Sequence, residues 1–243
     1  MPSRREILRL AAGIGAFATA GCAAEQQGPA STAPTVSASP ATPVTIAAEL
    51  VRANTGRPEV SLTFHGAGDL QLTRQALDLL ANRGALVTVL AVGTWLDRYP
   101  DAGRMVRDGG HDLGNHTWSH PVLAGLAPAA IRDEIERCRD RLVAVAGGPG
   151  PFFRQSAAQY ASDEERRLAA AAGYRTVLSY DVDSTDWTDP GPQAIRRAVA
   201  TAGPGSVVSM HLGHAGTVAA LPAVLDDLAR RGLAAVPASR LFG

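Results

Sequence analysis

Gly114-Asn115-His116-Thr117-Trp118-Ser119-His120 carries two histidines four residues apart. On a helical turn that spacing puts both imidazoles on one face, near enough to share a cation. Neutral imidazole is the commonest protein metal ligand, and a catalytic zinc site typically uses three protein ligands and keeps one position open. The same spacing also occurs in plain surface or capping histidines, so the surrounding chain decides its meaning.

Outward from that stretch the pattern alternates strand and helix. Val60, Leu62 and Phe64 alternate with Ser61 and Thr63, a strand signal, and residues 72–83 form a helical pattern closed by Gly84. Residues 85–92 are a nearly continuous apolar run, as in a buried parallel strand. Helix 101–108 leads to strand 111–114, helix 128–146 to strand 152–154, and helix 163–172 to strand 175–180. Helix 193–201 leads to strand 206–211, and helix 218–231 to a last strand at 233–236. Seven strands separated by helices predict an α/β domain, either a parallel barrel or a doubly wound sheet. Both architectures bind ligands at the C-terminal ends of their strands. The unusual polar residues gather at those ends: His65 and Asp69, His116 and His120, Arg154, Asp183 and Asp186, then His211 and His214. That convergence is the main physical argument for an active site.

The first 22 residues read as an address label. Adjacent Arg4 and Arg5 precede a weakly apolar run too short to span a bilayer, which resembles a twin-arginine export signal. The run ends Ala18-Thr19-Ala20-Gly21-Cys22, which resembles a lipobox, with Cys22 as the lipidated residue. Residues 23–45 are rich in Ala, Ser, Thr and Pro and read as a flexible tether. The expected picture is an exported domain, residues 46–243, anchored to the outer face of the cell membrane by that lipid alone. Cys138 then remains as a single cysteine, so no intramolecular disulfide is available to the domain. Basic and acidic residues balance at 23 each, and every basic residue is arginine. This gives no sign of the basic face that nucleic-acid binding needs, and a monomer is expected.

The motifs resemble the polysaccharide deacetylase family, the NodB homology domain, over roughly Glu59 to Val236. His116-Thr117-Trp118-Ser119-His120 matches that family's metal-binding His-Ser/Thr-x-x-His segment, and Asp183-Ser184-Thr185-Asp186-Trp187 its Asp-Ser-x-Asp-Trp motif. Val207-Val208-Ser209-Met210-His211 matches the strand ending in a catalytic histidine, and Phe152-Phe153-Arg154 the start of the arginine motif. Gln155-Ser156 stands where the family usually has prolines and a tyrosine. The resemblance implies a distorted (β/α)7 barrel, a divalent metal with zinc the expected ion, and removal of N- or O-linked acetyl groups from a polysaccharide.

The first motif departs from the family. Thr-Phe-Asp-Asp-Gly is replaced by Thr63-Phe64-His65-Gly66-Ala67-Gly68-Asp69. His65 stands where the family has its catalytic base, and Gly66, which offers no side chain, where it has a metal-ligating Asp. Three outcomes stay open. Asp69 folds back over its glycines to join His116 and His120 on the metal, with His65 as base. Alternatively His65 is itself the third ligand, with Asp69 as base or outer partner. In the third outcome the site is degenerate and only binds glycans. A separate alternative keeps the site but makes the protein a metal-dependent amidase or esterase acting on a small acylated substrate. In the family scheme His211 protonates the leaving nitrogen, Asp186 keeps it cationic, and Arg154 orients the base. Trp187 is expected to wall the acetyl pocket, and His214 to contact substrate.

Overall fold

The computed structural model describes residues 45–243, so Cys22, the twin-arginine stretch and the tether lie outside the described residues, save Thr45 at its end. The strands are β1 (Ala48–Leu50), β2 (Glu59–Gly66), β3 (Thr88–Ala91), β4 (Asp112–Asn115), β5 (Thr176–Leu178), β6 (Val182–Asp183), β7 (Val207–His211) and β8 (Ala234–Ala235). The helices are α1 (Leu70–Asn82), α2 (Gly93–Arg98), α3 (Pro100–Asp108), α4 (Pro128–Ala146), α5 (Asp163–Ala171), α6 (Pro192–Val199), α7 (Ala215–Arg230) and α8 (Ala238–Leu241).

Parallel pairing runs β4-β3-β2-β7-β6, with β8 beside the start of β2 and β1 beside β5. Phe153 bridges Asn115 of β4 to Val177 of β5, and the chain leaving β5 enters β6 after three intervening residues. The pairings and that short connection set the parallel strands in the order expected of a distorted α/β barrel, with no ladder between β5 and β6. The expected strand at 152–154 is reduced to that single bridging residue. Here β4 and Phe152 run so close that a Cβ on Gly114 would meet the Phe152 carbonyl at 2.7 Å.

Every residue of β2 is buried, and its two faces do different things. Val60, Leu62 and Phe64 share one core with Leu80 of α1 and Leu221 and Val224 of α7. Burying each such side chain favours the fold by about 1.5–3 kcal/mol. Thr63 and His65 face the other way, toward Arg154, which donates to the Thr63 hydroxyl at 2.9 Å. Register then sets the site: His65 stands opposite Leu90 of β3 and His211 of β7, and Ala91 stands opposite Asn115. The C-terminal ends of β2, β3, β4 and β7 therefore meet at one edge of the sheet.

The helices begin where local chemistry says they should. Pro128 opens α4, and left-handed Gly147 closes it. Ser162 and Glu165 form a reciprocal capping box at the start of α5.

Candidate active site

His116 follows β4 directly, and the loop after it is not the helical turn that the four-residue spacing suggests. Thr117 and His120 both adopt left-handed backbone, at φ 67° and 60°. A β-branched residue rarely tolerates this unless its surroundings enforce it. Here Asn115 does so: its Oδ1 accepts from the Thr117 amide at 2.9 Å, and its Nδ2 donates to the Ile135 carbonyl and the Tyr174 hydroxyl. Glu134 of α4 holds the far side, accepting from the Ser119 amide and hydroxyl. The turn brings the His116 and His120 rings to 4.8 Å, centre to centre.

His65 closes the cluster, its ring 4.0 Å from His116 and 6.4 Å from His120. One ligand atom from each of these three histidines lies within 4.8 Å of the other two. The donor set suits a cation. His116 Nδ1 faces the Arg154 carbonyl at 3.1 Å, which places the ring hydrogen there and leaves Nε2 as a lone pair. That Nε2 is buried without a hydrogen-bond partner, as is His65 Nδ1. Burial, reinforced by the neighbouring histidines and Arg154, holds His65 well below the usual imidazole pKa. Burial does the same to His116, so both rings are neutral, as ligation requires.

Asp69 does not join them. Its Oδ1 accepts from the Leu72 amide at 2.9 Å and caps α1, a job that fixes the carboxylate at the helix N-terminus rather than in the cluster. The structure thus groups His65, and not Asp69, with His116 and His120. A ligand at Gly66 would crowd its neighbours, because a Cβ there would meet Val89 Cγ1 at 2.9 Å, Ala91 Cα at 3.0 Å and Trp95 Cζ3 at 3.1 Å, so these would have to shift.

Arg154 is completely buried behind His65. It donates to Thr63 Oγ1, to the Leu178 carbonyl at 2.5 Å and to the Ser179 carbonyl at 3.2 Å. Its Nη1 lies 3.3 Å from His65 Nε2. Burial pulls the guanidinium pKa down to about 9, which still leaves it cationic at neutral pH.

Across the cleft His211 Nδ1 meets Asp186 Oδ1 at 2.7 Å, and the His211 amide and Thr217 hydroxyl donate to Oδ2. Burial alone would raise the Asp186 carboxyl, but these donors, the His211 ring foremost, outweigh it and hold the group below its usual value. Asp186 is therefore a carboxylate, His211 Nδ1 carries a hydrogen toward it, and Nε2 is the nitrogen left for a substrate. The His211 and His65 rings are 4.3 Å apart.

A cavity of about 710 Å³ opens over these groups, lined among others by His65, His120, Tyr180, Asp183, Trp187 and His211. Trp187 is 57% exposed on its wall, as a sugar-facing ring would be. His214 is not in the lining; its Nδ1 pairs with Asp189 Oδ1 at 3.0 Å. Sequence reasoning missed Tyr180, Glu134 and the work done by Asn115 and Thr217, since none of these roles follows from residue type alone.

The family model for polysaccharide deacetylases matches residues 52–177. A Bacillus cereus peptidoglycan-N-acetylglucosamine deacetylase is 30% identical over 192 residues, covering 76% of this chain and 69% of that protein. A solved peptidoglycan N-acetylglucosamine deacetylase in complex with an N-hydroxybenzamide superposes with a TM-score of 0.74 at 26% identity, covering 81% of this chain and 93% of that one. A Bacillus anthracis protein described as a pseudoenzyme of carbohydrate esterase family 4 shares the fold at a TM-score of 0.75 and 24% identity, covering 80% of this chain and 68% of its own. This chain belongs to the polysaccharide deacetylase family.

Proposed function

We propose that the protein is a metal-dependent hydrolase that removes acetyl groups, N- or O-linked, from a polysaccharide of the cell envelope or its surroundings. The observation that carries this reading is the pairing, across one cleft, of a three-histidine cluster with an Asp186-oriented His211. His65, His116 and His120 would hold the ion, with zinc the best match to three neutral imidazoles. Bound there, it supplies Lewis acidity to the acetyl carbonyl and lowers the pKa of a water.

The remaining chemistry belongs to the chain's own side chains. The acyl C–N or C–O bond breaks as a water oxygen joins the acyl carbon, and His211 Nε2 delivers a proton to the departing sugar nitrogen or oxygen. Asp186 fixes the His211 tautomer and stabilises the imidazolium before that transfer. With His65 read as a ligand, the proton that the attacking water loses passes into the cleft, whose lining also holds the Asp183 carboxylate. Trp187 and Tyr180 flank the acyl group and the sugar face.

In this reading the mature protein is a monomer exported on a twin-arginine signal and tethered to the membrane through lipidated Cys22. Acetate release from acetylated glycans, with and without a chelator, tests the activity. A second reading, a glycan-binding protein without turnover, is favoured by one feature: Arg154, which would orient a carboxylate base, faces His65 instead.

A further inference from the structure

Trp187 stands on the cavity wall, carried by the single 3-10 turn Asp186–Thr188. The residues on either side of that turn, Thr185 and Asp189, both have left-handed backbone, at φ 54° and 51°. A free chain leaves such a conformation readily, above all at Thr185, which is β-branched. Each end of the turn therefore needs a hold from outside.

The near end is held twice over. Asp183 Oδ1 accepts from the Thr185 amide at 2.8 Å, and Asp186 Oδ2 accepts from the His211 amide at 2.8 Å and the Thr217 hydroxyl at 2.6 Å. The far end has one side-chain tie to the rest of the fold among the described residues: Asp189 Oδ1 meets His214 Nδ1 at 3.0 Å. His214 is itself well placed to serve as an anchor. It opens α7 without spending its side chain on the cap. Gly213 before it lies so close to the first-motif loop that a Cβ there would meet the Ala67 carbonyl oxygen and Gly68 Cα, each at 2.7 Å. The His214 ring is 5.9 Å from that of His211, centre to centre, and its hydrogen bond goes to Asp189.

Building on the deacetylase reading, we propose that His214 is a positioning residue that acts through Asp189, strapping down the far end of the turn so that Trp187 is set over the substrate. His214 is partly buried and Asp189 exposed, and an ion pair of that kind contributes little to stability, so its effect is felt at the turn rather than in the fold. Asp186 has its own donors in Thr217 and the His211 amide, so loss of the strap leaves the orientation of His211 intact. The strap thus governs how tightly the glycan is held and not how fast its acyl bond is cleaved.

The test uses three variants of the full-length protein. His214→Ala removes the donor. Asp189→Gly removes the acceptor while keeping a residue at ease in left-handed backbone. His214→Asn keeps an N–H near the place of Nδ1. KM for acetate release should rise about five-fold in the first two, as for one lost hydrogen bond, with kcat near the wild-type value. Acrylamide quenching of Trp187 fluorescence, taken as the difference from matched Trp187→Phe proteins, should increase in the same two. His214→Asn should restore both readouts. Unchanged KM and quenching in His214→Ala and Asp189→Gly, a fall in kcat in place of the rise in KM, or an Asn variant no better than Ala overturns the strap. Quenching needs neither glycan nor turnover, so it separates the two readings. A wild type that releases no acetate while quenching follows the variants defeats the deacetylase reading alone. Acetate release with KM and quenching indifferent to the variants defeats the strap alone.

Discussion

Arg154 Nη1 lies 3.3 Å from His65 Nε2, and among the described residues no carboxylate accepts a hydrogen bond from this buried guanidinium. An arginine can only donate, so it draws the Nε2 lone pair and favours the hydrogen on Nδ1. A cation in the cluster wants a His65 lone pair too. Arg154 and the metal thus compete for one ring, and metal binding must turn the ring or move its hydrogen.

From that competition follows the first prediction, read as metal content of purified variants. His65→Ala should lower metal affinity by ten-fold or more, and His116→Ala and His120→Ala should abolish it. Asp69→Ala should retain the metal and lose about 1 kcal/mol of stability by uncapping α1. Metal lost in Asp69→Ala and kept in His65→Ala would restore the folded-back carboxylate.

Gly66→Asp is the tempting repair of the first motif, and it should fail. A Cβ there crowds Val89, the Ala91 backbone and Trp95, which must shift to admit it, so unfolding should come about 1–3 kcal/mol sooner. Thermal and denaturant melts measure this. A stable Gly66→Asp protein with tightened metal binding would mean that the pocket yields more easily than its packing indicates.

Asp186→Asn keeps the size of the side chain but removes the charge that fixes His211. Acetate release should drop by about 10²–10⁴-fold in Asp186→Asn and in His211→Asn, the range for a lost general acid. Metal content should not change, since neither residue belongs to the three-histidine cluster. Loss of metal in either variant would place His211 among the ligands instead.

The pH dependence of stability has a defined sign at His111, which is remote from the metal chemistry. Burial lowers its pKa below 6.5, and its Nδ1 accepts from the Val87 amide at 3.2 Å, so the folded state holds it neutral. The unfolded chain takes up a proton as pH falls through about 6.5, which pulls the equilibrium toward unfolding. With chelator present throughout, the melting temperature should fall from pH 7 to pH 5, and His111→Gln should flatten that slope. An unchanged slope would remove His111 from the account.

The strand–helix alternation was legible because buried parallel strands and capped amphipathic helices carry local signals. Helix α4 runs over the expected residues 128–146, opened by Pro128. β1, β6, α2 and α8 were not legible, being two to six residues long and lacking side-chain caps or a measurable period. The residues of the site were legible as a set, because they recur at strand ends. Their geometry was less so. Spacing alone cannot distinguish a helical turn from the left-handed turn that Asn115 enforces. Asp69 did carry a readable signal, since an aspartate just before an apolar helical run is an N-cap. The space lost at Gly66 depends on Val89 and Trp95, which arrive from another strand and another helix, so no local pattern reports it.

The central claim is tested most directly by measuring bound metal and acetate release on the same purified protein, before and after chelation and re-addition of the ion. The account predicts about one ion per chain, acetate release from an acetylated glycan that stops with the chelator, and recovery when the ion returns. A protein that takes up no metal under replete conditions, or whose acetate release ignores the chelator, would contradict it.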